Sequence, residues 1–299
     1  MATNDDVSQE IDELSGTQTT GHEWDGIKEL DTPMPRWWVR TFYATIVFAL
    51  GYVIYYPSIP LIETSTVGIS GVTARGVFEE QLAVDKQNKS KLDARLVSMP
   101  LEDVRKDDEL YRYAVSGGES LYKVYCTQCH GSGAQGAVGY PNLNDDDWLW
   151  GGDISSIRAT IAHGVRNDAD EDARLSMMPS FGSDGILNST EISSVVDYVL
   201  KLSGKDHNVR RAKDGEAIFS ENCVGCHGDN GLGNRDLGAP NLADELTLYG
   251  NDRQSLIHQI TSPRHGVMPP WLRRIGEPKV RQLAFYIHSL GGGESSNNP

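Results

Sequence analysis

The chain has 299 residues, a formal net charge of −15 and only four cysteines. The acidic balance argues against nucleic acid as a main partner, because phosphate binding needs a basic face. Four cysteines are too few for a disulfide-based scaffold of this length, and an apolar fraction of 38% excludes a wholly disordered chain.

The N-terminal part predicts a tail followed by a membrane anchor. Residues 1–34 are polar and acidic, which is typical of a flexible or peripheral segment. An apolar stretch follows from Trp37 to Tyr56 with Arg40 as its only charge, so we expect one membrane-spanning helix over 35–57. A cleaved signal peptide is the alternative, but a long segment precedes the apolar core and no small-residue cleavage site follows it.

Basic residues near the predicted anchor indicate its orientation. Lys28, Arg36 and Arg40 lie before the helix or at its start, and the next basic residue is Arg75. Because the flank that is rich in lysine and arginine stays in the cytoplasm, we expect a cytoplasmic N-terminus and an exported C-terminal part.

A connecting region over 58–112 follows the predicted anchor. Residues 73–95 are rich in helix formers and contain no proline, which predicts a helical spacer. A further helix is expected near Pro100, with Ser98 as its cap. A loose linker is the alternative.

All four cysteines fall in two copies of a C-x-x-C-H motif, Cys126-Thr-Gln-Cys129-His130 and Cys223-Val-Gly-Cys226-His227. This is the attachment signature of c-type haem, in which two thiols bind the vinyl groups and the histidine reaches the iron. A zinc site is the alternative, but no further cysteine remains to complete a closed set of four ligands. The sequence therefore predicts two covalently bound haem c groups, with His130 and His227 as axial ligands.

The two motifs lie in an internal repeat. Gly118 and Gly215 stand eight residues before the first cysteine of their motif, and Tyr122 and Phe219 stand four residues before it. Each copy ends in an amphipathic helix that carries an aromatic residue. We therefore predict two tandem, mostly helical domains over 113–204 and 209–292, with a short tail over 293–299.

The sixth iron ligands are expected from methionines. Each copy contains one Met-Pro pair, so the repeat assigns Met178 to the first haem and Met268 to the second, with Met177 as a weaker candidate. His163 and His265 begin matching His-Gly-Val triplets and are competing ligands.

A proline turn follows each motif. Pro141 lies eleven residues after His130, and Pro240 lies thirteen residues after His227. We expect a backbone carbonyl of each turn to accept a hydrogen bond from the axial histidine, which would fix the orientation of its ring.

The tandem domains resemble class I cytochromes c, which implies an all-α fold of two such domains behind a single N-terminal transmembrane helix. A narrower resemblance lies at the membrane. His22-Glu-Trp-Asp-Gly-Ile27, followed by Pro35-Arg36-Trp37-Trp38, is similar to the start of the dihaem subunit of cbb3-type cytochrome c oxidase. This resemblance covers nearly the whole chain from about residue 20.

The resemblance implies a bacterial inner-membrane protein with periplasmic haem domains. It would be a non-catalytic part of a proton-translocating oxidoreductase. It would take electrons from a cytochrome c or a bc1-type complex and pass them, through a monohaem subunit, to the haem–copper subunit. Beyond residue 62 the chain has 24 basic and 33 acidic residues, a net charge of −9 that would steer a basic donor. A free-standing anchored electron carrier and a dihaem peroxidase are the alternatives.

Overall fold

The computed structural model describes residues 10–245 and 248–295. The chain divides into two compact units, Met1–Lys86 and Gln87–Pro299. Residues 1–9 of the predicted N-terminal tail and residues 296–299 of the predicted C-terminal tail lie outside the described residues.

The first unit begins with a small antiparallel sheet of strands β1, Thr19–Trp24, and β2, Ile27–Leu30. Asp25 and Gly26 join the strands with φ angles of 50° and 84°. Two positive φ angles in a two-residue loop match the twist of paired strands, and Asp-Gly is a favoured sequence for such a turn. The prediction of a flexible tail is therefore wrong for these residues, which pair through their backbones.

Helix α1, Arg36–Tyr55, occupies the predicted anchor segment and buries none of its side chains within the chain. It is long enough and apolar enough to cross a membrane, with a mean hydropathy of 1.3. Helix α2, Ala74–Ser98, forms the spacer, and α3, Leu101–Val104, follows Pro100. Ser98 therefore ends α2, whereas the sequence predicted that it caps the next helix.

The second unit is helical in the part that the structure describes. Its helices after α3 are α4, Asp108–Tyr125; α5, Thr127–His130; α6, Ile154–His163; α7, Ser189–Leu202; α8, Val209–Asn222; α9, Val224–His227; α10, Arg253–Thr261; α11, Leu272–Ile275; and α12, Glu277–His288. Aspartate or asparagine side chains cap α4, α6, α7, α8 and α10. Asn188, for example, accepts from the backbone N–H groups of Thr190 and Glu191 at the start of α7.

The two sequence repeats exchange their last helices. Helix α4 of the first repeat packs against α12 of the second, and α7 of the first repeat packs against α8 of the second. One hydrophobic core joins residues of α4, α6 and α12, and the other joins residues of α7, α8 and α10. We call the first set, with α5 and α11, the first lobe and α7 to α10 the second lobe. The helix pairing therefore crosses the predicted domains 113–204 and 209–292.

The short connection at residues 203–208 gives a physical reason for the exchange. Helices joined by so few residues pack most readily against each other, which pairs α7 with α8. The helix α4 is then left to pair with α12, because each amphipathic helix must bury its apolar face.

Glycines allow the close approach of each helix pair. A Cβ atom on Gly118 would lie 2.1 Å from the carbonyl oxygen of Gln282, and one on Gly215 would lie 2.0 Å from that of Ser194. Such distances exclude any side chain larger than hydrogen. The repeat glycines of the sequence thus mark the two crossing points, α4 on α12 and α8 on α7.

Asp197 joins three elements of the second lobe. Its side chain is fully buried on α7 and accepts from Arg253 of α10, from Arg211 Nε at 2.6 Å and from the Asn208 backbone N–H at 2.7 Å. Both arginines remain partly exposed, so a buried carboxylate is stabilised by two cations at the surface.

Candidate haem sites

The two C-x-x-C-H motifs fold in the same way, each as one helical turn after a longer helix. Cys126 and Cys223 end α4 and α8, and the turns α5 and α9 carry the second cysteine and the histidine. Gly131 and Gly228 end these turns with φ angles of 81° and 74°, which glycine adopts without strain. One turn thus places two thiols and one imidazole beside the same space.

Each motif opens onto its own cavity. The cavity of the first lobe has a volume of about 610 Å³ and is lined by Cys126, Cys129 and His130, together with Met268 and Trp271. The cavity of the second lobe has a volume of about 510 Å³ and is lined by the residues Cys223, Cys226, His227 and Met178. Volumes of this size are typical of sites for small molecules and cofactors.

The structure therefore corrects the methionine pairing that the repeat suggested. Met178 was predicted to face His130 and Met268 to face His227, whereas each methionine lines the cavity of the other motif. Helix exchange is the physical reason. Met178 precedes α7, which packs in the second lobe, and Met268 precedes α12, which packs in the first lobe. Met268 is tied to the first lobe by two backbone hydrogen bonds with Val165, of 3.0 and 2.9 Å.

The axial histidines are fixed by the proline turns that the sequence singled out. Nδ1 of His130 lies 3.0 Å from the Pro141 carbonyl oxygen, and Nδ1 of His227 lies 3.1 Å from that of Pro240. A carbonyl oxygen only accepts, so each Nδ1 donates and each Nε2 keeps a lone pair. Burial lowers the pKa of both imidazoles, although the bond to the carbonyl acts in the opposite direction. Both rings are thus held neutral, which is the form that ligates iron.

The two cysteines of each motif differ in burial. Cys223 is buried and Cys126 half-buried, while Cys129 and Cys226 are exposed. Burial raises the pKa of Cys126 and of Cys223 to about 11, so these thiols are protonated near neutral pH. None of the four forms a disulfide, which leaves every sulfur available for a thioether bond.

The competing histidines have other roles in the structure. His163 lines neither cavity, and its Nδ1 lies 3.2 Å from a carboxylate oxygen of Asp170. His265 lines both cavities, but its Nε2 accepts a hydrogen bond of 3.1 Å from the backbone N–H of Met178. It thus supports the methionine loop of the second lobe. Met177 is 66% exposed, which leaves Met178 as the better placed of the two methionines.

The donor set of each cavity fits a covalently bound haem. Two free thiols and a neutral imidazole lie on one side, and a thioether comes from a separate loop. Apolar side chains from both repeats make up most of the remaining lining, which keeps water from the iron. A zinc site would need four closed ligands, and the further histidine of both cavities, His265, uses its Nε2 to accept from the Met178 backbone N–H.

The residues where the cavities meet were missed by the sequence analysis. Arg166, Tyr249 and Arg264 line both cavities, although they lie far apart in the chain and belong to no motif. The φ angle of 49° at Arg166 is visible only in the structure. Nothing in the spacing of these residues signals their common position.

Comparisons with known proteins point to one family. Residues 16–63 match the model of the N-terminal domain of cytochrome oxidase-cbb3, and residues 114–199 and 210–287 match that of cytochrome c oxidase, cbb3-type, subunit III. The chain is 51% identical to the cbb3-type cytochrome c oxidase subunit CcoP of Cereibacter sphaeroides over 92% of this chain and 95% of the relative. It is 47% identical to the FixP subunit of Sinorhizobium medicae over 97% of this chain and 99% of that protein.

Proposed function

The chain belongs to the subunit III family of cbb3-type cytochrome c oxidases, and we propose that it relays electrons from a cytochrome c or bc1-type donor towards the haem–copper subunit. It is a membrane-anchored cytochrome c subunit with two covalently bound haem c groups. When bound, these haems supply one-electron redox chemistry at the iron. The role of this protein chain is to hold them in place, to exclude water and to present their edges.

We propose the following ligands. Cys126 and Cys129 bind the first haem covalently, with His130 and Met268 as its axial ligands. The second haem is bound covalently by Cys223 and Cys226, with His227 and Met178 as its axial ligands. What supports this set is that each cavity is lined by one motif and by the methionine of the other repeat. The carbonyl oxygens of Pro141 and Pro240 orient the two imidazoles.

Coordination by histidine and methionine suits electron transfer better than catalysis. It fills both axial positions and so leaves no place on the iron for a substrate, and methionine raises the potential. An electron would enter or leave where an edge of a bound haem reaches the surface.

The anchor helix offers a face for a partner within the membrane. Ala44 and Gly51 are seven residues apart and share one face of α1, on which the larger Val47 and Phe48 lie between them. A Cβ atom on Gly51 would meet nothing within 4 Å. Small residues allow transmembrane helices to approach closely. We place the catalytic subunit against this face.

Purification of the complex tests both the proposed role as an oxidase subunit and the proposed contact face of α1. The full chain, affinity-tagged at its C-terminus and purified in mild detergent, is expected to bring down a haem–copper subunit that reduces oxygen with reduced cytochrome c. Gly51→Leu is expected to lower the yield of that subunit while both haems c stay bound. Val53→Leu, on the opposite face of α1, is the control. A native chain that is captured alone with both haems would instead identify a free-standing carrier.

We also propose that the N-terminus is cytoplasmic and that the haem lobes are periplasmic. The support is that Lys28 precedes α1 and that Arg36 and Arg40 lie in its first turns, whereas no lysine or arginine follows until Arg75. Alkaline phosphatase fused after Pro299 is expected to be active, since this enzyme matures outside the cytoplasm. The same fusion before Met1 serves as the control and is expected to be inactive. The reverse pattern would contradict the orientation.

A further inference from the structure

The two cavities meet at a shared wall that combines apolar residues with polar side chains. Residues that line both of them include Arg166, Tyr249, Arg264, His265 and Asp147. The motif ends of the cavities, by contrast, are lined by thiols and apolar groups. A haem has one polar edge, which carries two propionate carboxylates. The shared wall is the part of each cavity that offers cationic and hydroxyl donors to such an edge.

Arg166 connects the two methionine loops across this wall. Its Nε donates to the Gly266 carbonyl oxygen at 2.8 Å, and its Nη1 donates to the Ser176 carbonyl oxygen at 3.0 Å. Each acceptor stands two residues before a methionine that faces a cavity, Met268 in one case and Met178 in the other. One guanidinium is thus bound equally to both ligand loops. Its backbone has a φ angle of 49°, a strained conformation for arginine.

The charge of Arg166 has no anionic partner among residues 10–245 and 248–295. Burial lowers the pKa of its guanidinium, and only Tyr249 acts in the opposite direction. A guanidinium stays protonated in a protein and carries five N–H donors, so a half-buried one requires acceptors and negative charge. Two neutral carbonyl oxygens supply acceptors but no charge.

The other charged groups of the wall are already engaged. Arg264 is exposed, lies over the Tyr249 ring at 4.8 Å from its centre and donates to the Tyr249 carbonyl oxygen at 2.9 Å. Asp147 is half-buried, and burial and the nearby Asp244 raise the pKa of its carboxyl to about 6. The cation that acts on Asp147 is Arg235. Arg264 thus has neutral partners too, but solvent screens its exposed charge. Arg166 is therefore the half-buried cation of this wall, whose charge acts most strongly on both cavities.

We propose that Arg166 binds a haem propionate at the junction of the two sites and raises the reduction potentials of both haems together. The proposal rests on the ligand set given above, because that set places both haems against this wall. Reduction adds an electron near the cation, so the cation favours the reduced form of each haem. A single residue would then set the potentials of two iron centres.

Redox titration of the purified holoprotein tests this proposal. Arg166→Gln is expected to shift the midpoint potentials of both haems downwards, and Arg166→Lys, which keeps the charge, is expected to restore most of both shifts. Arg210→Gln is the control. Arg210 is an exposed cation on α8 and lines neither cavity, so both potentials should stay near the native values.

Three results would overturn the proposal. One is a potential of either haem that stays at its control value in Arg166→Gln. Another is a lysine variant whose potentials fall as far as those of the glutamine variant, because the charge would then play no part. The third is loss of the near-infrared Met–iron band in both variants, which would limit Arg166 to holding the loops. Failure of the ligand set itself would be seen separately, in methionine variants that keep Arg166.

Discussion

In a chain whose first motif is removed by Cys126→Ser and Cys129→Ser, Met178→Ala is expected to abolish the remaining near-infrared Met–iron band. The same background with Met268→Ala is expected to keep that band and its potential. The reason is that Met178 lines the cavity of Cys223, Cys226 and His227. Loss of the thioether also lowers the potential of the remaining haem, because methionine stabilises the reduced iron.

The reciprocal background provides the control. With Cys223→Ser and Cys226→Ser, only the first haem remains, and Met268→Ala rather than Met178→Ala should remove the band. Met177→Ala should leave it in place in both backgrounds, since this side chain is largely exposed. A band that instead follows the methionine of the same repeat would refute the exchanged ligands and restore the pairing inferred from the sequence.

The largest expected effect on stability comes from Asp197→Asn. This change removes a fully buried negative charge and leaves Arg211 and Arg253 without their shared partner. Because both arginines stay more than a third exposed, water screens the charges that remain, and the loss is about 2 kcal/mol of the free energy of unfolding. Thermal or guanidinium unfolding of the holoprotein, followed by circular dichroism, measures the change. Asp214→Asn, at an exposed position on α8, is the control and should change stability by less than about 0.5 kcal/mol.

The Asp197 effect has a defined pH dependence. Burial alone would raise the pKa of Asp197, but hydrogen bonds from Arg253, Asn208 and Arg211 outweigh it and lower that pKa. A carboxylate with a lowered pKa stabilises the fold above its unfolded pKa of about 3.9 and loses this contribution as the pH falls further. The difference between the native chain and Asp197→Asn should therefore be constant near neutral pH and shrink below about pH 4. A difference that persists at low pH would mean that the charge is not its source.

Local patterns in the sequence predicted the chemistry but not the pairing of distant segments. The C-x-x-C-H spacing, the proline turns and the apolar anchor depend on neighbouring residues, and the structure has each in the expected place. The repeat shows that Met178 and Met268 are equivalent, yet equivalence does not say which histidine each one faces. That depends on the packing of α7 and α12, which the short connection at 203–208 decides.

Three smaller features also differ from what the sequence predicted or were absent from the prediction. The Asp25-Gly26 turn is a recognisable hairpin sequence, but the acidic composition around it favoured a tail. The His-Gly-Val triplet that His265 begins made it a candidate iron ligand. The fold shows instead that His265 accepts a hydrogen bond from the Met178 backbone. Arg166 carries no local signal, since its partners Gly266 and Ser176 lie on two separate loops.

The exchange of helices means that one lobe is nested inside the other. The second lobe, with its methionine loop, is one continuous stretch from residue 175 to 261, and its elements follow one another in a circularly permuted order. The first lobe is built from the two flanking stretches and is complete only when α12 reaches α4. During synthesis the second lobe can therefore fold first. The motif at Cys126 can complete its site only after Met268, near the C-terminal end of the chain, has been made. Neither repeat can be removed without opening both haem sites.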